Sequence, residues 1–319
     1  VELDPAESTD VDIHLIAEGE LEDGTMAHRC ITRDDWSLGS PVEPGRYLIA
    51  VDSWVDAADE VQSGPYAFDV RLITDGVSAC QTRPVACTEE LPPFVNLDVD
   101  EEPGDPGCLP GMVRVTDELC IDRYEAFVVE LVEDGYTPVS PYAPPPHGAD
   151  LMAIARKGSV PQGHIDQLQA DDACRGAGKR LCDDDEWLFA CRGSGDHDYP
   201  YGDTWVEGRC NGSRACHPAV QYFESSENWV FSGIGHPCMS QLPEGLLSSG
   251  SYGACVTETG AFDMVGGLHE WTSDPAGTFR GGFFVDTIRN GAGCRYRTVA
   301  HTVHHHDYST GFRCCADAM

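Results

Sequence analysis

The sequence predicts an all-β N-terminal region followed by a disulfide-rich α+β domain with little regular secondary structure. Three observations support this fold class. The first 78 residues contain short runs of alternating or β-branched residues, separated by Gly and Pro turns. Fifteen cysteines are dispersed from Cys30 to Cys315 instead of being grouped as CxxC pairs. Helical patterns precede Gly193, and the remainder is rich in Gly, Pro, Ser and Asn.

Residues 1–78 are expected to form a small antiparallel β-sandwich. The predicted strands lie in VDIHLIA (Val11–Ala17), GRYLIAVDSW (Gly45–Trp54) and GPYAFDVRLI (Gly64–Ile73). SLGSPVEPGRYLIAVDSW, followed by SGPYAFDV, resembles the bacterial pre-peptidase C-terminal domain, a secreted accessory module. This resemblance implies an accessory or assembly role for the first domain.

Residues 79–107 are predicted to be a linker because they are rich in Pro and acidic residues and lack helical periodicity. Cys80 and Cys87 are close enough in sequence to close a short local disulfide loop. The second domain is expected to cover residues 108–319.

Two helices are predicted early in this domain. The first occupies IDQLQADDACRGAGKRL (Ile165–Leu181), with Gly176 and Gly178 near its end. The second follows Asp183, an N-cap residue, and Glu186 three positions later completes a capping-box pattern.

Composition excludes several function classes. The chain has 54 acidic and 20 basic residues, for a net charge of -34, so nucleic acid is a poor partner. No run of about 18 apolar residues predicts a membrane span. Dispersed cysteines favour disulfides made in an oxidising compartment. The chain begins Val1-Glu2 without a signal peptide, so we expect a processed form that is secreted, periplasmic or on a bacterial cell surface.

Six ordered motifs then resemble the sulfatase-modifying-factor, or formylglycine-generating-enzyme, domain. They are AGKRLCDDDEWLFACRG, YPYGD, GAFDMVGGLHEWTSD, RGGFF, RYR and GFRC. The resemblance implies a variant of the C-type-lectin fold for about residues 108–319, commonly with bound calcium. Members of this family include copper-dependent oxidases that make formylglycine, iron-dependent sulfur-transfer enzymes and non-enzymatic binding domains, so the fold alone does not define the function.

The copper site of the oxidases is incomplete in this sequence. The family carries a C-x4-C pair between RGG and RYR, whereas here only Cys294 is present and Asp286 lies near the first position. One thiolate and one carboxylate do not form a dithiolate copper(I) site. We therefore expect no formylglycine chemistry. The alternative is a copper- or iron-dependent oxidoreductase that uses Cys294 with His304 and His306.

The resemblance also implies two calcium sites. Their ligands would be oxygen atoms, the hard donors that calcium prefers. The first site would use the Asp263 side chain and three backbone carbonyls, those of Met264, Gly266 and Leu268. A second site would use Asn211 and the carbonyl of Gly212. At the first site, Gly267 replaces the family Asn and His269 replaces a Trp.

Disulfides follow from the same resemblance. It pairs Cys174 with Cys314, whereas Cys191 has lost its usual partner because Thr298 occupies that position. Cys191 is therefore expected to pair with Cys294 or Cys315. Cys108 and Cys120 are also expected to be disulfide cysteines.

A histidine-rich segment lies where the family has its substrate-groove loop. It contains His301, His304, His305, His306 and Asp307. These residue types could bind zinc or copper, but we favour an exposed binding loop. With the turn at Asn290–Cys294, it would form the binding groove.

Taken together, these features predict a secreted or cell-surface binding or structural protein that lacks oxidase activity. Its expected cofactor is calcium, with copper or iron under the enzymatic alternative. Its expected partners are proteins or glycans at the cell surface, within a larger extracellular assembly.

Overall fold

The computed structural model describes residues 2–5, 11–20, 26–34, 46–53, 66–69, 80, 93–299 and 301–319. The chain divides into two compact units, Val1–Gly76 and Val77–Met319. The described strands of the first unit are β1 (Glu2–Pro5), β2 (Val11–Glu20), β3 (Met26–Asp34), β4 (Arg46–Ser53) and β5 (Tyr66–Asp69). Strand β2 lies between β3 and β4, and β1 pairs with β5, all antiparallel. The resemblance to the pre-peptidase domain stays a prediction.

Among its described residues, the second unit contains three small sheets. Its strands are β6 (Met112–Arg114), β7 (Leu119–Asp122), β8 (Phe127–Val132), β9 (Gly135–Pro138), β10 (Leu151–Ile154), β11 (Arg180–Leu181), β12 (His269–Trp271), β13 (Phe279–Arg280), β14 (Arg297–Thr298), β15 (Thr310–Phe312) and β16 (Cys314–Asp317). The sheet orders are β10-β8-β9, β11-β16-β7-β6 and β14-β13-β12-β15. Strand β15 runs parallel to β12, which brings the end of the chain beside His269.

The helices are α1 (Gln167–Gly176), α2 (Asp184–Arg192) and α3 (Pro218–Tyr222). Helix α1 begins at Gln167 because Asp166 is extended and its side chain accepts the Gln169 N–H at 2.8 Å. It is shorter than predicted because the chain leaves the helix at Ala177 and then pairs with β16 through β11. Helix α2 has the predicted N-cap, and the Asp183 N–H donates to Glu186 at 3.0 Å. None of the described helices is long and apolar enough to cross a membrane.

The described part of the predicted linker, residues 93–107, lies along the second unit without forming a helix or strand. The Asn96 side-chain amide makes two hydrogen bonds to the backbone of Val160: its N–H donates to the Val160 carbonyl, and its oxygen accepts the Val160 N–H. Glu101 accepts a hydrogen bond from the buried Lys179 ammonium at 2.9 Å. These partners lie 64 and 78 residues further along the chain, so the local composition does not reveal the anchoring.

Disulfides join distant parts of the second unit. Cys174 is bonded to Cys314, the pair implied by the family resemblance, and Cys182 is bonded to Cys315. Adjacent residues of a strand point to opposite faces, so the neighbouring cysteines of β16 reach two different elements.

The remaining described bridges decide the open pairings. Cys191 is bonded to Cys294, one of its two predicted partners, and Cys108 is bonded to Cys120. The prediction of a local Cys80–Cys87 loop is wrong, because Cys80 is bonded to Cys216. A partner 136 residues away cannot be inferred from sequence proximity. Cys210 and Cys255 form a further bridge.

The core contains a buried polar centre. The Arg313 side chain is fully buried and pairs with Glu270, with its Nε 2.6 Å from Glu270 Oε2. The Trp187 indole N–H donates to the same carboxylate at 2.6 Å. Glu270 therefore links α2 to Arg313 near the end of the chain, and Arg313 also donates to the Phe262 carbonyl at 2.9 Å, directly before the loop Asp263–Leu268. Removing one partner of such a buried ion pair lowers the free energy of unfolding by several kcal/mol.

Candidate functional site

The segment that carries the copper cysteines in the family forms tight turns here. Asp286 lies near the first cysteine position, and its Oδ1 accepts the N–H groups of Ile288 and Arg289, both at 3.0 Å. Its Oδ2 accepts the Tyr296 hydroxyl at 3.0 Å. Asp286 therefore organises a turn, and its oxygens already have hydrogen-bond donors.

Cys294 is fully buried and bonded to Cys191. Its backbone N–H donates to the Asp198 carbonyl at 2.7 Å, which holds the turn against the segment after α2. A disulfide sulfur is neither a thiolate nucleophile nor a thiolate metal ligand. The arrangement supplies no free thiol for the alternative that combines Cys294 with His304 and His306.

The histidine-rich segment forms an ordered array of rings. His301 and His305 stack with their centroids 3.9 Å apart and their planes 16° apart. His301 also stacks on Phe279, with centroids 5.6 Å apart and planes 10° apart. Burial lowers the pKa of His301, and the neighbouring His305 lowers it further. These two histidines pack as aromatic rings.

The buried Asp307 side chain anchors the histidine-rich segment. Its carboxylate accepts the Ser309 N–H at 2.8 Å and the Ser309 hydroxyl at 2.7 Å, and it lies 3.3 Å from His305 Nε2. Burial by itself would raise the pKa of Asp307, but the hydrogen bonds from His305 and Ser309 lower it to about 2. The loop is therefore held by a buried carboxylate that stays ionised.

Two further buried histidines lie close to this carboxylate. His164 has no hydrogen-bond partner on either ring nitrogen among the described residues, and the Nδ1 of His269 likewise has none. Burial lowers the pKa of His164 to about 4 and that of His269 to about 3. His269 packs between Phe279 and Phe283. Neither environment could be predicted from the neighbouring residues, although His269 stands where the family has a Trp and is in this respect a signal.

The exposed histidines make few contacts. His304 Nδ1 lies 4.0 Å from Asp166 Oδ2, and His306 Nδ1 lies 3.2 Å from the His304 carbonyl. Across the described ranges, no group of three His, Cys, Asp or Glu side chains has the arrangement needed to hold a metal ion.

Residues of the two predicted calcium sites meet at one small cavity. Its volume is about 10 Å³, roughly the space of one water molecule. Asp263 and Asn211 line it together with Glu125 and Gly267. Asn211 is brought there by its backbone carbonyl, which accepts the Gly267 N–H at 2.8 Å.

The other predicted calcium ligands do not line this cavity. Three of them belong to the same loop and one follows Asn211: Met264, Gly266, Leu268 and Gly212. The Met264 carbonyl lies against Gly281, and the Gly212 carbonyl accepts the Thr287 hydroxyl at 3.4 Å. The Leu268 N–H donates to Glu125 at 2.8 Å. Glu125 is thus a cavity residue that sequence analysis did not identify.

Two buried carboxyl residues line this cavity. Glu125 and Asp263 are 2% and 7% exposed, and the nearby Arg313 is paired with Glu270. Burial, together with the Glu270 and Asp263 charges, raises the pKa of Glu125 well above its usual range. Burial also raises the pKa of Asp263 to about 6. Two such carboxyls are stabilised either by protonation or by a cation.

Gly267 makes room for Glu125. A Cβ at this position would lie 2.6 Å and 2.7 Å from the two carboxylate oxygens of Glu125, and the backbone φ of +62° favours glycine. The exchange of the family Asn for Gly267 is therefore matched to the carboxylate that occupies the adjoining space.

Comparison with known proteins agrees with this architecture. Residues 111–318 match the model of the sulfatase-modifying factor enzyme 1-like domain. Two curated relatives, from Mus musculus and Bos taurus, are each named inactive C-alpha-formylglycine-generating enzyme 2. Each is 27% identical over 176 residues, which is 52% of this chain and 52% or 53% of the relative. The chain therefore spans about half the length of these relatives.

Among solved structures, the chain is similar to the major tropism determinant I1 variant, with a TM-score of 0.38 and 14% identity over 99% of this chain and 74% of that one. It is also similar to CarF, with a TM-score of 0.29 and 14% identity over 61% of this chain and 59% of that one. The family match covers most of the second unit, and its fold is the C-type-lectin-like α+β fold expected from the motifs. The chain belongs to the sulfatase-modifying factor enzyme 1-like family.

Proposed function

We propose that this protein is a non-catalytic, disulfide-braced binding domain, secreted or displayed on a bacterial cell surface. The observation that carries the proposal is the Cys191–Cys294 disulfide. Cys294 is the single cysteine between the RGG and RYR motifs, where the family's oxidases have two, and the disulfide leaves it without a free thiol. The name of the two curated relatives, inactive formylglycine-generating enzyme 2, supports the same conclusion.

The catalytic part of the proposal is tested with the oxidised protein, copper(I), oxygen and a cysteine-containing peptide. We expect no formylglycine in the peptide by mass spectrometry and no copper(I) retained against a competing chelator. Alkylation without reductant should leave Cys191 and Cys294 unlabelled. Formylglycine formation, or one copper ion retained per chain, would overturn the proposal.

The binding partner would be a protein or glycan, met through the turn at Asn290 and the loop His301–Asp307, within a larger extracellular assembly. Support comes from the rigid anchoring of the loop by Asp307 and from the exposure of His304 and His306. A panel of surface glycans and secreted proteins is screened with the wild-type protein and with the double variant His304→Ala/His306→Ala. Ligands whose binding is unchanged in the variant would argue against this loop.

A structural calcium ion is the second part of the proposed function. The cavity beside Asp263 fits it, because two buried carboxyl residues and Asn211 line a space of single-atom size. Asp263, Glu125 and Asn211 would hold the ion, which would neutralise the carboxylates there. Calcium would also make stability depend on its concentration, by about 2.7 kcal/mol at one hundred times its Kd.

The calcium proposal is tested by thermal unfolding in calcium, magnesium or EGTA. We expect calcium to raise the unfolding temperature of the wild-type protein. Asp263→Asn and Glu125→Gln should lose this response yet be at least as stable as wild type in EGTA, since each removes a buried charge. Asp185→Asn, at an exposed carboxylate, is the matched control. A calcium response that persists in both cavity variants would refute these ligands.

A further inference from the structure

A larger cavity lies beside the C-terminal end of α2. Its volume is about 270 Å³, just below the range of pockets that enclose drug-sized molecules. None of the described residues at the Asn290 turn, in the histidine-rich segment or at Asp263 lines it. The side chains with polar groups that line it are Arg192, His197, Tyr201, Arg209, Thr257 and Glu258. We call this space the α2 cavity, and its size suits a small molecule.

Two cationic groups of the α2 cavity already have anionic partners. Arg192 is paired with the Asp196 carboxylate, and its Nε and Nη2 donate to the carbonyls of His197 and Asp196 at 3.1 Å and 2.8 Å. The His197 Nδ1 lies 2.9 Å from a carboxylate oxygen of Asp203. Arg192 and His197 therefore hold the segment that follows α2 in place.

Arg209 is held without a carboxylate. Its guanidinium carbon lies 4.3 Å from the centroid of the Tyr201 ring, and its Nε donates to the Ala254 carbonyl at 3.1 Å. Neither terminal nitrogen has a hydrogen-bond or ion-pair partner among the described residues. The ring contact and the Nε hydrogen bond restrain the plane of the guanidinium. Its two terminal nitrogens therefore remain as paired donors, the geometry that a carboxylate accepts.

Glu258 supplies the opposite charge in the same cavity. Its carboxylate accepts the N–H and the hydroxyl of Ser194, and these hydrogen bonds lower its pKa, so that it stays ionised. A Cβ at Gly193 would lie 2.7 Å from Glu258 Oε1, so this glycine makes room for the carboxylate. Glu258 has no Lys, Arg or His ion-pair partner in the described part of the chain. A carboxylate with two hydrogen bonds can still accept others.

A disulfide restrains the two unpaired charges. Cys210, next to Arg209, is bonded to Cys255, and Glu258 follows shortly after Cys255 in the sequence. Opposite charges that are held apart in one cavity are complementary to a molecule that carries both charges itself. Such a molecule has no net charge. The chain, with its net charge of -34, therefore repels it less than it repels a simple anion.

We propose that the α2 cavity binds a small zwitterion of the amino-acid class. Its carboxylate would accept N–H groups from both terminal nitrogens of Arg209, and its ammonium would donate to Glu258. The site is additional to the proposed binding at the Asn290 turn and the histidine-rich segment. Binding in the α2 cavity is independent of those residues and of calcium.

Ligand-observed NMR tests the wild-type protein with the free L-amino acids, β-alanine and γ-aminobutyrate. The last two probe how far apart the two charges of the ligand need to be. The ligand that binds most tightly is then compared with its amide, which lacks the carboxylate, and with its N-acetyl derivative, which lacks the ammonium. We expect each derivative to bind about tenfold more weakly, because each loses one charge-assisted contact.

Two substitutions assign each end of the ligand to one residue. Arg209→Gln should weaken binding of the free amino acid about tenfold but should not weaken binding of the amide, which has no carboxylate for Arg209. Glu258→Gln should weaken binding of the free amino acid but not of its N-acetyl derivative. The unfolding temperature of each variant verifies that it is folded.

Arg175→Gln and Glu207→Gln are the matched controls, because they make the same changes at exposed residues that do not line the cavity. Both should bind the amino acid as the wild-type protein does. Acetate that binds as tightly as the amino acid would indicate a general anion site and would overturn the proposal. Unchanged binding in Arg209→Gln or Glu258→Gln, or no amino-acid binding by the wild-type protein, would overturn it as well.

Discussion

At the scale of single residues, the structure shows how a small number of exchanges alter a family site. Gly267 admits the Glu125 carboxylate, His269 fills a core position among aromatic rings, and Asp286 serves a turn. Each exchange has a partner elsewhere in the chain that fits the new side chain or the space it leaves. The site therefore has a coherent structure of its own, distinct from a damaged copper centre.

Gly267→Ala tests the role of space at the cavity. The new Cβ would be strained by the positive φ, at about 1–2 kcal/mol, and would also clash with Glu125. Gly148→Ala is the matched control, since Gly148 has φ +75° and no atom within 4 Å of a Cβ there. We expect Gly267→Ala to lower the free energy of unfolding by at least about 2 kcal/mol more than the control, measured in urea. Equal losses would show that only backbone conformation matters.

At the scale of elements, strand β16 holds the domain together through two adjacent cysteines. The bridges Cys174–Cys314 and Cys182–Cys315 connect it to α1 and to the residue after β11. The two bridges close loops of nearly equal length, with sequence separations of 140 and 133 residues. With one bridge intact, the other closes only a short ring through residues 174–182 and 314–315.

This redundancy predicts non-additive losses of stability. Removing one bridge with Cys174→Ala/Cys314→Ala should cost about 3 kcal/mol, as expected for a ring of about ten residues. Removing the second bridge as well should cost a further 4 kcal/mol or so, because the ring that it closes through the intact Cys191–Cys294 bridge, along residues 182–191 and 294–315, is about three times longer. Urea unfolding of the two variants measures both steps. A second loss smaller than the first would contradict the shared-loop explanation.

At the scale of the whole molecule, buried histidines should determine the response to acid. Burial lowers the pKa of His164 and His217 to about 4 and that of His269 to about 3. The unfolded chain therefore binds more protons at these positions below pH 6.5, and stability falls as the pH decreases. Asp263 has the opposite effect on stability. Its folded pKa is about 6, so as the pH decreases the native state binds a proton here before the unfolded chain does, which stabilises the native state.

We predict that each of these histidines reduces the free energy of unfolding by about 1.4 kcal/mol per pH unit below pH 6 and above its folded pKa. Urea unfolding between pH 6.5 and 4.5 measures the total, and NMR titration of the imidazole C–H resonances resolves single residues. His269→Phe should make the dependence shallower, since phenylalanine fits among the same rings. Titration of His164, His217 or His269 near pH 6.5 in the folded protein would contradict the prediction.

Much of the fold could be predicted because the signals are local or belong to motifs. The Asp183 N-cap, the strand runs in the first unit and the six family motifs all depend on neighbouring residues. The Cys174–Cys314 pair followed from motif positions. The Cys80 partner and the anchoring of Asn96 and Glu101 did not, since their partners are remote in sequence.

The sequence by itself determined the family, the presence of a single cysteine between the RGG and RYR motifs, and the strongly acidic character. These properties depend on which residues are present and in what order. Only the tertiary structure decided that Cys191 bonds to Cys294, that His301 and His305 stack, and that Glu125 shares a cavity with Asp263. The physical reason is that burial, pairing and shifted pKa values arise from side chains brought together across long loops. The cavity, for example, joins Glu125 to a backbone N–H 143 residues away.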